Sequence, residues 1–282
     1  EGLYTAPSDG TLVSDILRMK ELGFNLLRKH IKVEPERWYY HCDRLGMLVW
    51  QDMVSGGSDY HMGFVCTMPN LMTWTGRKVK DSHYRLFSRE DISGRKEYYR
   101  ELKGMIRVLY NHPSIVVWVP FNEGWGQFDA SRATELIRSL DPNRLIDEAS
   151  GWFDQGGGDM YSIHNYFRKL KIKPQKDRVV ALTEFGGYSY LCGEHSACDR
   201  LYGYRTFRSS EELTEGIATL WERELIPAVT EGLGAAVYTQ VSDIEDEVNG
   251  LLTYDRECCK VEEERMKELN RRLFERFEEC VK

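Results

Sequence analysis

Two spacings of apolar residues alternate along the chain, one near 3.6 and one short and continuous. Ser8 or Asp9 caps a first helix with Leu12, Val13, Ile16 and Leu17 on one face, closed by Gly23. Phe24 to Arg28 reads as a strand, and Pro35 opens a second helix that ends at Gly46. Met47 to Asp52 is a strand with an apolar start and a polar end. Residues 55–87 show no clear period and read as a long insertion. Ser88 with Asp91 resembles a capping box and starts a helix to about Tyr110. Ile115 to Phe121, Leu145 to Asp147, Met160 to Ile163, Val179 to Thr183 and Ala235 to Thr239 are further strands. Ser131 to Leu140, Ser209 to Glu231 (Pro227 near its end) and Glu262 to Cys280 are helices. Strands separated by helices predict a parallel sheet, either closed into a barrel or open and doubly wound. No GxGxxG follows the first strand and no GxxxxGK[ST] occurs, so a nucleotide-binding open sheet loses its main support.

Length agrees with a barrel: 282 residues against the roughly 250 of a (β/α)8 domain. No repeat or linker divides the chain. The longest apolar run, Ile115 to Phe121, is far too short to span a membrane. A net charge of −7 argues against nucleic acid as a partner. Seven scattered cysteines without a CxxC pair read as thiols, and neither a disulfide framework nor a zinc site is expected. The chain opens Glu1-Gly2-Leu3-Tyr4 with no Met, which reads as a piece of something longer.

The chemistry concentrates at strand ends. Val116 to Phe121 runs into Asn122-Glu123-Gly124-Trp125, and Val179 to Thr183 runs into Glu184-Phe185-Gly186-Gly187. Each glutamate alone is as well explained by a helix cap or a loop salt bridge. Two carboxylates at the C-terminal ends of barrel strands are what glycoside hydrolysis needs: one protonates the leaving oxygen, the other attacks or activates water. Tyr161 to Tyr166 ends a strand lying between those two in sequence, and His164 there reads as a substrate contact. Arg28, Lys29 and His30, Gln51 and Asp52, and Tyr238 and Gln240 close other strands; each is a ligand contact or a structural ion pair under the rim. Trp125, two residues past Glu123, is expected to line the pocket, whereas Trp118 is expected in the core.

These residues resemble glycoside hydrolase family 2. The resemblance rests on Asn122-Glu123, Glu184 and Arg28-Lys29-His30. It extends through Gly2-Leu3-Tyr4-Thr5-Ala6-Pro7, Arg28 to Trp38, Asn111-His112-Pro113-Ser114 and Asn249 to Tyr254, which look like the family's bacterial β-galactosidase-like members. It implies that residues 1–282 are the catalytic (β/α)8 TIM barrel of a retaining exo-β-glycosidase. By the same resemblance the barrel's first strand and the family's N-terminal β-sandwich domains lie upstream. Glu123 is then the acid/base, Glu184 the nucleophile and Asn122 the ligand of the sugar 2-hydroxyl, with His164 and Tyr166 in the same pocket. Arg28, His30, Asp52, Trp125 and Tyr238 complete the expected substrate contacts. β-Galactosides are the expected substrates; β-mannosides, β-glucuronides, or a non-catalytic sugar-binding or inactive barrel are the alternatives. The Asn-x-Lys motif of family β-glucuronidases is absent, which favours a neutral sugar. Relatives carry Arg-x-x-His and Asp-Glu where this chain has Arg28-Lys29-His30 and Gln51-Asp52. No cofactor is required by the sequence, although the family admits a magnesium or sodium ion near the site. Carbohydrate is the expected partner, neither membrane nor nucleic acid is, an oligomer is open, and a cytoplasmic location is expected unless a signal peptide lies upstream.

Overall fold

A computed structural model describes residues 8–75, 78–199 and 204–282; the Gly2–Pro7 part of the resemblance lies outside them. The chain divides into two compact units. The first comprises Glu1–Asn25, Asn165–Pro174 and Leu182–Lys282, and the second Leu26–His164 and Gln175–Ala181. The elements in chain order are α1 (Asp9–Glu21), β1 (Leu26–Lys29), α2 (Glu36–Leu45), β2 (Leu48–Asp52), α3 (Met62–Thr75) and α4 (Ile92–Leu109). There follow β3 (Ile115–Val119), α5 (Ala130–Leu140), β4 (Leu145–Ile146), β5 (Met160–Asn165), β6 (Val179–Gly186), β7 (Tyr188–Tyr190) and β8 (Arg205–Phe207). The chain closes with α6 (Ser210–Leu220), α7 (Ile226–Thr230), β9 (Leu233–Thr239) and α8 (Glu263–Val281).

In the second unit β1, β2, β3 and β4 form a parallel sheet in that order, so β1 is an edge strand of this sheet. Leu26 pairs with Leu48, Trp50 with Val117 and Val117 with Leu145. Ile115, Val117, Trp118 and Val119 are all buried, the signature of a parallel strand covered on both faces. The Trp118 indole donates to Asp141 Oδ2 at 2.9 Å, which satisfies its polar atom in the core as expected of it. Because the strands are parallel, the polar ends of β1, β2 and β3 (Lys29, Asp52 and the Asn122 turn) come to one end of the sheet.

In the first unit α1 is capped by Ser8, whose Oγ accepts from the Thr11 N–H. The buried face of α1 is Leu12, Ile16 and Met19, an i, i+4, i+7 stripe; Leu17, expected on it, is exposed, because it stands one residue, about 100°, round the helix from Ile16. Asn270 of α8 ties this unit together. Its Oδ1 accepts from the Trp221 indole at 3.0 Å and its Nδ2 donates to the Leu22 carbonyl at 2.8 Å. The charged face of α8 carries surface pairs such as Arg271–Glu268, a solvated face as expected. No helix among the described residues is long and apolar enough to cross a membrane. Cys42, Cys66, Cys192, Cys258, Cys259 and Cys280 are thiols.

Three elements differ from the sequence reading. The cap of α4 is Asp91, which accepts from the Ser93 and Gly94 N–H groups. Ser88 instead sits at φ 59° with its hydroxyl donating to the Asp59 carbonyl, so there is no Ser88 capping box. The insertion holds helix α3, whose nearly all-apolar sequence with Pro69 inside gives no amphipathic period to read. The single helix over Ser209–Glu231 is interrupted by a π-helical turn at Trp221–Leu225. Pro227 has no N–H to continue the α-helical ladder, and the Ile226 N–H reaches back five residues to the Trp221 carbonyl.

Candidate active site

The second unit carries Arg28, His30, Asp52, Asn122, Glu123, Trp125 and His164. Arg28 lies at the end of β1 beside Asp52 at the end of β2. Its Nε and Nη2 donate to Asp52 Oδ1 and Oδ2 at 3.0 and 2.8 Å, a forked pair with side chains only 3% and 1% exposed. Nη2 also donates to Asn122 Oδ1 at 2.9 Å. A guanidinium only donates, so the Asn122 oxygen must face it and the amide nitrogen must face away. That nitrogen lies 3.0 Å from His30 Nε2, which therefore accepts. The sequence brings Arg28, His30, Asp52 and Asn122 into one chain of hydrogen bonds whose product is a single orientation of the Asn122 amide.

Glu123 follows in a turn that β3 feeds. Its N–H donates to the Ser150 carbonyl at 2.9 Å, and its own φ is 50°, a left-handed conformation that costs roughly 1–2 kcal/mol for a residue with a Cβ. Gly124 at φ 76° continues the turn; a Cβ there would lie 2.4 Å from the Phe153 ring. Glu123 Oε1 pairs with His164 Nδ1 at 2.7 Å, and Oε2 accepts from the Trp125 indole at 3.3 Å. His164 Nε2 lies 3.2 Å from Ser150 Oγ, so the hydroxyl donates there while Nδ1–H serves the carboxylate. The His164 side chain is fully buried. Its ring fits because residue 151 is glycine at φ 86°, where a Cβ would come within 2.6 Å of the imidazole. Trp152 stands 5.9 Å from the same ring, and Tyr60 of the insertion meets Trp125 edge-on at 5.0 Å.

The first unit carries Tyr166, Glu184 and Tyr238. The Tyr166 hydroxyl donates to Glu184 Oε2 at 2.8 Å and lies 3.0 Å from Thr239 Oγ1, which donates to it in turn. Burial and then the Glu184 carboxylate hold the Tyr166 phenol far above its ordinary range, so it remains a donor to Glu184 at every working pH. Its ring stacks on Tyr204 with centroids 3.8 Å apart. Tyr238 is placed differently. Its ring lies over Gly186, where a Cβ would come within 2.1 Å, and packs against Phe185 and Trp221. Gln240 donates to Glu247 and Asn249.

Sequence reasoning passed over Ser150, Trp152, Tyr204 and Thr239, which hold the expected residues from loops or neighbouring strands. Nothing in their spacing marks them. Gln51 gives up its Oε1 to the Tyr39 hydroxyl and its Nε2 to two carbonyls, and both Asp52 oxygens accept from Arg28. A magnesium or sodium ion at Gln51 and Asp52 would face a guanidinium already seated on the carboxylate. These residues do not fit a cation.

Residues 6–179 match the family described as glycosyl hydrolases family 2, TIM barrel domain. The β-galactosidase of Leuconostoc mesenteroides is 26% identical over 151 residues, covering 53% of this chain and 12% of that protein. β-Mannosidase B of Aspergillus clavatus is 36% identical over 113 residues, covering 40% of this chain and 10% of that protein. The chain thus spans about a tenth of the length of these curated relatives. Among solved structures, a β-galacturonidase from Eisenbergiella tayi bound to galacturonate aligns with a TM-score of 0.64 at 19% identity, over 94% of this chain and 48% of that one. Of the two folds left open by the alternating strands and helices, the α/β TIM barrel implied by the resemblance is the one these matches carry.

Proposed function

The chain belongs to glycosyl hydrolase family 2, and on that premise we propose that it is the catalytic domain of a retaining exo-β-glycosidase acting on terminal β-galactosides. The observation that carries this reading is a pair of strand-end glutamates, each with its own fixed hydrogen-bond donor: His164 on Glu123 and Tyr166 on Glu184. Glu184 attacks the anomeric carbon while Glu123 protonates the departing oxygen. Water then attacks the glycosyl-enzyme, and Glu123, now the base, takes its proton. The Tyr166 hydrogen bond aims the Glu184 carboxylate and keeps it from swinging. The Asn122 amide, oriented by Arg28 and His30, holds the sugar 2-hydroxyl. No step requires a metal ion.

The test is chemical rescue. Glu184→Ala abolishes turnover of 4-nitrophenyl β-galactoside, and azide restores cleavage with α-galactosyl azide as product. Cleavage that azide does not restore removes Glu184 from the nucleophile's role. A β-mannoside is the second reading, favoured by the 36% identity to a β-mannosidase B over 113 residues.

A further inference from the structure

Polar and aromatic partners divide between the two oxygens of Glu123. Oε1 faces His164 and, behind it, Ser150. Oε2 faces the Trp125 indole, and Trp125 meets Tyr60 at 5.0 Å with the rings 78° apart. With Oε1 taken by a buried imidazole, Oε2 is the oxygen left to carry a proton to a leaving group. Whatever is bonded to that leaving oxygen then departs alongside Trp125 and Tyr60. We infer that Tyr60 and Trp125 form a binding site for the leaving group, one that receives an aglycone with a flat apolar face, either an aryl ring or the face of a second sugar. The inference rests on Glu123 being the acid.

The pair is rigid. A Cβ at Gly126 would come 1.8 Å from the Gly56 carbonyl oxygen, so the insertion's first arm lies directly on the Glu123 turn. A Cβ at Gly57 would come 2.6 Å from the Ser88 carbonyl oxygen. The Ser58 N–H donates to that carbonyl at 2.9 Å, and the Ser88 hydroxyl returns to the Asp59 carbonyl at 2.9 Å. Arg89 pins the turn by donating from Nε to the Gly126 carbonyl at 2.7 Å, with its guanidinium against Tyr98 and Phe128. The residues leading into Tyr60 and the turn around Trp125 are therefore held before any ligand arrives. Both rings are half-buried and retain surface for contact. A preformed aromatic pair loses little freedom on binding, and an aromatic contact of this kind contributes about a tenfold effect.

The experiment compares two substrates of one sugar in the complete natural polypeptide: 4-nitrophenyl β-galactoside, and β-galactosyl fluoride, whose leaving group has no ring. Tyr60→Ala is expected to lower kcat/KM on the aryl glycoside about tenfold, mainly through KM, while the fluoride stays within about twofold. Tyr60→Phe, which keeps the ring, is expected to match the wild type on both, and lactose in place of the aryl glycoside shows whether a sugar face uses the same surface. Equal losses on the two substrates would reduce Tyr60 to a support of the Glu123 turn, and no loss on the aryl glycoside or lactose would remove the site. A wild type that turns over neither the aryl glycoside nor the fluoride overturns the galactoside reading and moves the comparison to the corresponding β-mannosides; failure on those as well overturns the glycosidase reading, and the leaving-group site with it.

Discussion

At the scale of single residues, the interactions that matter are those leaving a group no alternative. Arg28 and Asp52 are buried together, and their forked pair is what lets Arg28 orient Asn122. Removing one partner of such a pair strands the other charge away from water. Arg28→Met is expected to lower unfolding free energy by about 3–5 kcal/mol, measured by urea denaturation. A loss below about 1 kcal/mol, the range of exposed pairs, would mean that water reaches Asp52. The motifs made Arg28, Asn122, Glu123 and His164 legible, because their residue types follow apolar strands. The sequence left open whether each was a ligand contact or a structural pair, and for Arg28 the structure shows an ion pair with Asp52 that also orients the Asn122 amide.

At the scale of elements, loops are held by charge where strands are held by ladders. Asp154, in the loop after β4, accepts from Arg178 just before β6 at 2.6 Å and from Lys78 at 2.9 Å. Burial alone would raise the Asp154 carboxyl, but the two cations outweigh it and bring it down to about 2. The free carboxyl titrates near 3.9. Its folded pKa is the lower one, so the contribution to stability is complete above about pH 4 and is lost as pH falls toward about 2. The gap in urea midpoint between wild type and Asp154→Asn is expected to close over that window. A gap independent of pH would assign the loss to packing. Neither the Asp154–Arg178 contact nor helix α3 was legible beforehand. The first joins positions 24 residues apart with no shared period, and the second is apolar on every side.

At the scale of the whole molecule, family membership narrows the sugar without choosing it. Curated relatives named β-galactosidase and β-mannosidase B both align with this chain. A panel of 4-nitrophenyl β-galactoside, β-mannoside and β-glucuronide is expected to give its highest kcat/KM on the galactoside. A preference for the mannoside would transfer the reading to the second substrate, and a preference for the glucuronide would show that a uronate is bound without an Asn-x-Lys motif.

By itself the sequence determined the order and type of most elements, since alternating apolar periods, helix caps and breakers act over a few neighbouring residues. Its motifs, Asn122-Glu123 and Glu184 after apolar runs, also carried the resemblance to the family whose barrel domain residues 6–179 match. Only the tertiary structure decided what holds those residues. Ser150 beneath His164, Tyr60 against Trp125 and Thr239 against Tyr166 come from segments 14, 65 and 73 residues away. Contacts over such separations depend on where the backbone is carried, and no local period records it.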